Sequence, residues 1–215
     1  MKQLWQRIVA ALTPGVRGIL TVWVIFFVVA LAGTLTHTFD LERWLAVESA
    51  AVWHGQVWRV VTYALLPAGM MDLLTAGFGL AILGGQLERH WLRGELSSYC
   101  LITATVAGLV QVLLSPLPMA GEAPVMLGLL VAWVFVCGHE TVNLPIFGPV
   151  SVRQIFFIVV AVSLVVMLFS GGWRRAGGMI AGGVAGWVYL WLKFKWLMVK
   201  PGRTVESGRM NRLEL

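Results

Sequence analysis

Few side chains in this 215-residue chain can do chemistry, and most of them sit at the edges of long apolar runs. Four histidines, His37, His54, His90 and His139, are the available general bases. A base matters only beside a nucleophile, because a hydroxyl attacks poorly until its proton is taken. Ser115 and Ser170 fall on the same side of the membrane as His37 and His54 in the topology argued below. A Ser115–His54 pair is therefore one constellation to weigh, but no third residue is spaced to orient the ring. Cys100 and Cys137 lie in or beside apolar helices with no metal-ligand or redox spacing, and read as small core residues. No metal site and no cofactor motif is found. The most informative charge is Asp72, set inside an apolar run, where an ionisable group is costly and usually paired. Its natural partners are Arg175 or Arg174, and Glu122 is a second acid at the same end. These four form either a salt-bridged or client-binding polar patch, or a set of ordinary interfacial charges.

The elements that position these groups are membrane spans. Hydrophobic residues make up 59% of the chain and charged residues 12%, with mean hydropathy +0.83. A soluble domain carries about 25% charged residues, so the bilayer is the natural solvent. Spans are expected at about 18–37, 60–87, 96–114, 124–138, 151–169 and 176–197. The fourth, at roughly 15 residues and about 22 Å, is too short for a core of about 30 Å and should be enclosed by the others. Residues 38–59 are too polar to span. They hold Trp44, Trp53 and Trp58, which favour the headgroup zone, and are expected to form a structured interfacial loop with one or two short helices. The net charge of +6 follows the loops rather than a groove for phosphates, which argues against nucleic acid. With both termini in the cytoplasm, twelve basic residues lie inside and four outside, namely Arg43, Arg59, Arg174 and Arg175. Residues 1–17 then form a cytoplasmic segment, 18–198 the transmembrane domain and 199–215 a basic cytoplasmic tail. The first apolar run lacks a cleavage pattern and is expected to remain as a helix. A bacterial host would place the chain in its inner (plasma) membrane.

Gly178, Gly182 and Gly186 recur every four residues in the sixth span and leave one face bare, to which the small face of Gly128 and Ala132 on the fourth span corresponds. Such faces let two helices approach closely. Beyond this packing signal, several segments resemble the rhomboid family in order. Residues 55–63, with Trp58 and Arg59, are similar to the entry into its second span, "GQxWRxxTY". Gly84, Leu87 and Glu88 resemble "GxxLE", with Gly94 and Tyr99 at family-like distances. Gly121 to Leu130 resembles "GxSGxxxGLL", and residues 144–148 resemble the link into the fifth helix. Residues 175–186 resemble "HxGGxxxGxxxG". The resemblance covers roughly residues 53–192. It implies an all-α membrane protein, a six-transmembrane-helix rhomboid-like bundle with a structured interfacial first loop.

The departures fall on the chemistry. Rhomboids are intramembrane serine proteases with a serine on the fourth helix and a histidine on the sixth. At those positions this chain has Ala123 and Arg175. Arginine stays protonated and cannot act as a base. The glycine after the serine is Pro124, which has no N–H to donate. The family's oxyanion pattern "HxxxxHxxxN" corresponds to Pro67, Asp72 and Ala76, and a carboxylate has the wrong sign to stabilise an oxyanion. The resemblance thus implies a non-proteolytic member that binds transmembrane segments or membrane-protein clients, by analogy with inactive relatives such as iRhoms and derlins. The alternatives are an intramembrane serine protease with a relocated site and, less supported by the charge pattern, a small-solute pathway. Partners are expected to be the lipid bilayer and membrane-protein clients.

Overall fold

A computed structural model describes residues 13–37, 39–67, 69–92, 94–138, 141–144, 148–169 and 176–199. Helix α1 covers Pro14–Thr36. Proline suits the first helical turn because its missing N–H would have no partner there. The next two amides are capped from far along the chain: Gly15 N donates to Glu88 Oε1 (3.0 Å) and Val16 N to Glu88 Oε2 (3.3 Å). Helix α1 therefore begins within the segment assigned above to the N-terminus. It stops at His37, whose φ of 52° turns the chain out of the helix.

The expected interfacial loop contains α2 (Leu41–Leu45) and α3 (Ser49–Trp53). The chain then forms α4 (Arg59–Thr62) and a 3-10 turn at Tyr63–Leu65. This corrects the second span, which starts at Met70 and not near residue 60. Pro67 bars continuation of a helix through its position, and Gly69 adopts extended backbone just before α5 (Met70–His90). Helix α6 runs Glu95–Leu114 and ends where Ser115 and Pro116 follow. Helix α7 is the short Ala123–Cys137. Next comes an antiparallel hairpin, β1 (Thr141–Leu144) with β2 (Gly148–Ser151), in the register Thr141↔Ser151 to Leu144↔Gly148. The all-α expectation missed it. Four-residue strands with Gly138 and Pro145 beside them and Pro149 inside β2 read as loop, and the hairpin needs only local pairing. Helices α8 (Val152–Phe169) and α9 (Ala176–Val199) complete the described chain. Among the described residues, α1, α5 and α6 are long and apolar enough to cross a membrane, and α7 is a shorter apolar helix.

Helix α7 is the enclosed element, with eight of its fifteen residues buried, against three of twenty-three in α1. Hydrogen bonds tie it to two neighbours: Tyr99 Oη of α6 donates to Gly128 O (2.6 Å), and Trp133 Nε1 donates to Gln86 Oε1 of α5 (2.8 Å). Against α9 there is no room for side chains. A Cβ on Gly128 would lie 3.3 Å from Gly182 O, and one on Gly186 would lie 3.2 Å from Gly128 Cα. Gly182 faces the backbone of Pro124. Gly178 differs from the expectation: it packs on Met119 Sδ and Gln111 Oε1 rather than on α7.

Because the atom that meets Gly182 is main chain, the overlap cannot be relieved by a rotamer. Gly182→Ala should lower the melting temperature in detergent despite alanine's better helix propensity, and Gly182→Leu should do so further, at the ~1–3 kcal/mol of overpacking or beyond. Gly18, where an added Cβ meets nothing within 4 Å, supplies the contrast: Gly18→Ala should not destabilise. Equal responses at the two positions would contradict this packing.

Candidate functional site

The start of α7 carries Gly121, Glu122 and Ala123, and four sets of contacts hold it in place. Gly121 adopts φ +114°, a conformation that favours glycine, and its N–H donates to Tyr63 O (3.0 Å). Just before it, Met119 and Val47 exchange two backbone hydrogen bonds of 2.9 Å, which fasten the interfacial loop to the approach of α7. The loop itself is closed by Arg59. Its buried guanidinium donates from Nε to Gln56 Oε1 (2.6 Å) and from Nη1 to Arg43 O (2.6 Å) and Ala46 O (3.0 Å). Charge-assisted donors in a planar fork suit this task better than an ammonium. Ser49 Oγ adds a bond shared between Val112 O and Ser115 O, both 2.8 Å, at the end of α6. Trp58, beside Arg59, is half exposed and takes no part in the clamp through its ring.

On this platform Ala123 is exposed in the first turn of α7, and Pro124 is buried behind it. Asp72 is exposed in the first turn of α5, Ala76 lies buried one turn further on, and Pro67 is buried before the helix. Arg174 and Arg175 lie outside the described residues, immediately before α9, and with them the contact expected between Asp72 and Arg175. His139 and Ser170 lie outside them too. Ser115 and His54 are not hydrogen-bonded to one another. Ser115 is buried and its Oγ accepts from Leu117 N (3.2 Å), while His54 is exposed at the end of α3. Among the described residues no group of three or more His, Cys, Asp and Glu side chains suits a metal ion.

Glu122 is the residue whose environment sequence reading understated. It is 7% exposed, precedes α7 without capping it, and its Oε2 has no hydrogen-bond partner. Burial pushes its carboxyl up from the ordinary 4.5; a backbone hydrogen bond of its own pulls the other way, and the charge of Asp72 adds to the rise. Gln111, on α6 below Met119, repeats the theme. Its Nε2 donates to Leu117 O (3.2 Å), but its buried Oε1 is unpartnered. These two acceptors belong to the end of the bundle where α7 starts; a third buried atom without a partner, Thr13 Oγ1, lies just before α1.

The remaining motif residues are structural. Glu88 caps α1, and Gly84 lets α5 close on Val16 of α1 and Leu96 of α6. The far end of the bundle is also held by an ion pair that sequence spacing does not disclose, between Lys193 of α9 and Glu95 of α6. The Lys193 ammonium lies 5.6 Å from the ring of Trp91, which in turn packs on Tyr99 with ring centroids 5.2 Å apart.

The Glu122 environment has a pH signature. A carboxyl raised by folding supports the folded state in its protonated form. That contribution is complete below about pH 4.5 and fades as pH rises through the raised value. Thermal stability in detergent should therefore fall as pH climbs from 4.5 toward neutrality, and Glu122→Gln should flatten the decline. Parallel curves for the wild type and the Glu122→Gln variant would assign the dependence to other groups.

Two comparisons with known proteins bear on this arrangement. A local match of 111 residues, 27% identical, joins the chain to the Rhomboid protease GluP of Bacillus subtilis (strain 168). It covers 52% of this chain but only 22% of that relative, so the chain spans a small part of the relative's length. The family model for "Eukaryotic integral membrane protein (DUF1751)" matches residues 17–195, which takes in nearly all of the helices from α1 to α9. An integral membrane bundle with several apolar helices, rhomboid-like in its motif order, is thus in hand, and the chain belongs to the DUF1751 family of eukaryotic integral membrane proteins.

Proposed function

We propose that this protein is a rhomboid-like pseudoprotease of six spans, with both termini on the cytoplasmic side, that holds transmembrane segments of other membrane proteins without cutting them. The observation that carries the reading is the start of α7. A braced scaffold surrounds it, yet it offers a methyl group at Ala123 and a proline immediately after. Hydrolysis would need an O–H, a base to take its proton and N–H donors for the oxyanion. Binding needs none of these. What supports binding is the pair of buried, unpartnered acceptors, Glu122 Oε2 and Gln111 Oε1, at this same end. A buried acceptor without a donor costs about 1–3 kcal/mol, and a polar group on an arriving client segment would recover part of it. In the bilayer such a segment has few other partners for its polar groups.

Purified protein should not react with serine-directed phosphonate probes. Labelling mapped to Ser115, or to any other serine, would favour a relocated protease site and overturn the reading. Ala123→Ser alone should leave a transmembrane reporter uncleaved, because base and oxyanion donors would still be absent. Crosslinking in native membranes followed by pull-down should recover single-span proteins, and loss of those adducts on Glu122→Ala would locate the binding site. Asp72 and Arg175 form the lock we place between α5 and α9. Since Asp72 is exposed, the coupling should be that of a wet ion pair, about 0.2–1 kcal/mol. The Asp72→Ala/Arg175→Ala double variant should then lose less than the sum of the single variants, whereas strictly additive losses would remove the lock.

A further inference from the structure

We propose that the outer edge of β1 accepts a third strand, and that this strand is the chain's own segment Arg203 to Ser207, beyond α9. The register of the hairpin decides which of its edges is open. Pro149 lies opposite Asn143 and has no N–H, so these two residues cannot exchange a pair of N–H···O bonds. Bonded and non-bonded pairs alternate along an antiparallel ladder. The bonds therefore fall on Val142 with Val150 and on Leu144 with Gly148. Thr141 and Asn143 of β1, and Pro149 and Ser151 of β2, turn their main-chain polar groups outward.

The two edges are not equivalent. On the β2 side Pro149 has no donor, and the Ser151 N–H donates to Gln154 Oε1 of α8 (3.1 Å). Proline and a covering group both blunt an edge against further pairing. On the β1 side Thr141 and Asn143 each present an N–H and a C=O, and among the described residues nothing bonds them. An open edge of this kind is a template for strand addition. A two-stranded hairpin is marginal by itself in water, so a third strand also stabilises the first two.

The path of the chain after α9 names the occupant. Helices α7 and α9 run in the same direction: Pro124 meets Gly182, Gly128 meets Gly186, and the rings of Phe135 and Phe194 lie 5.9 Å apart. Helix α7 ends at Cys137, just before β1, and α9 ends at Val199, one turn and a half beyond Phe194. The chain thus leaves α9 at the end of the bundle that carries the hairpin. Residues 200–215 follow. Among them Arg203, Thr204, Val205, Glu206 and Ser207 have the chemistry of a short strand, with two β-branched residues at the centre and with Pro201, Gly202 and Gly208 as bounds. Lys200, Pro201 and Gly202 separate this segment from α9, a reach of about 10 Å. Tethering presents the segment to the edge at an effective concentration on the order of mM, which favours it over a second copy or a separate peptide.

The test is amide hydrogen exchange on the full chain in detergent, resolved to single residues by fragmentation in the mass spectrometer. The Thr141 and Asn143 amides should exchange about fivefold slower in the wild type than in the Thr204→Pro/Val205→Pro variant, the factor that one net backbone hydrogen bond supplies. Adjacent prolines remove the donor whichever of the two residues faces β1. The protection should not change on dilution. A benzoyl-phenylalanine photocrosslinker in place of Val205 should form adducts with residues 141–144 of its own chain, which mixing with isotope-labelled protein distinguishes from adducts between copies. Fast exchange of both amides in the wild type, equal protection in the double variant, or adducts away from β1 would overturn the proposal. Protection that falls on dilution, or adducts that join two copies, would overturn it too and assign the edge to a second copy.

Discussion

The fold depends on a backbone-to-backbone contact, the approach of α9 to the first turns of α7. A helix of fifteen residues is about 22 Å long and cannot meet both faces of a bilayer core of about 30 Å. It persists only if other helices replace the lipid around it. Glycines make that possible on the α9 side, because each missing side chain lets Pro124 and Gly128 come within contact of Gly182 and Gly186. Without a hydrophobic force between helices in lipid, such close packing and interhelical hydrogen bonds are what remain to hold a bundle. The bonds from Tyr99 to Gly128 O and from Trp133 to Gln86 supply the second kind on the α6 and α5 sides.

The interfacial loop answers a different constraint. Its backbone has many polar groups and little regular structure, so their partners must come from elsewhere. Arg59 satisfies two carbonyls at once, Ser49 shares its hydroxyl with two more at the end of α6, and Val47 pairs with Met119. The last of these couples the loop to the start of α7. The loop is thus part of what fixes the geometry of the candidate site.

Much of this was legible in the sequence because it rests on local composition. The four-residue glycine spacing announced the α7–α9 contact, the short apolar run announced an enclosed helix, and the polar composition of residues 38–59 announced a structured loop with short helices. The errors came where pairing partners are distant or purely local. The second span was drawn too early because residues 60–66 are apolar enough to continue it, and hydropathy does not weigh the steric veto of Pro67 strongly enough. Gly178 was assigned to α7 by periodicity, whereas its face had turned by then toward Gln111 and Met119. Glu88 was recognised as a motif residue, but its task, capping α1 more than seventy residues earlier, has no sequence signature. The burial of Glu122 was equally invisible, since a glutamate before a helix ordinarily faces solvent.

The contacts that hold the bundle are separate from the positions that the resemblance marks as catalytic. The contacts that hold the bundle, the Glu88 cap, the Glu95–Lys193 pair, the Arg59 clamp and the glycine faces, involve none of Pro67, Asp72, Ala76 or Ala123. At the far end Glu88 and Glu95 are taken up in structural contacts, whereas Glu122 at the site end remains buried with an oxygen unmatched. An unmatched buried acceptor costs about 1–3 kcal/mol, so the glycine contacts and the interhelical hydrogen bonds around α7 must offset the one at Glu122 for the bundle to hold.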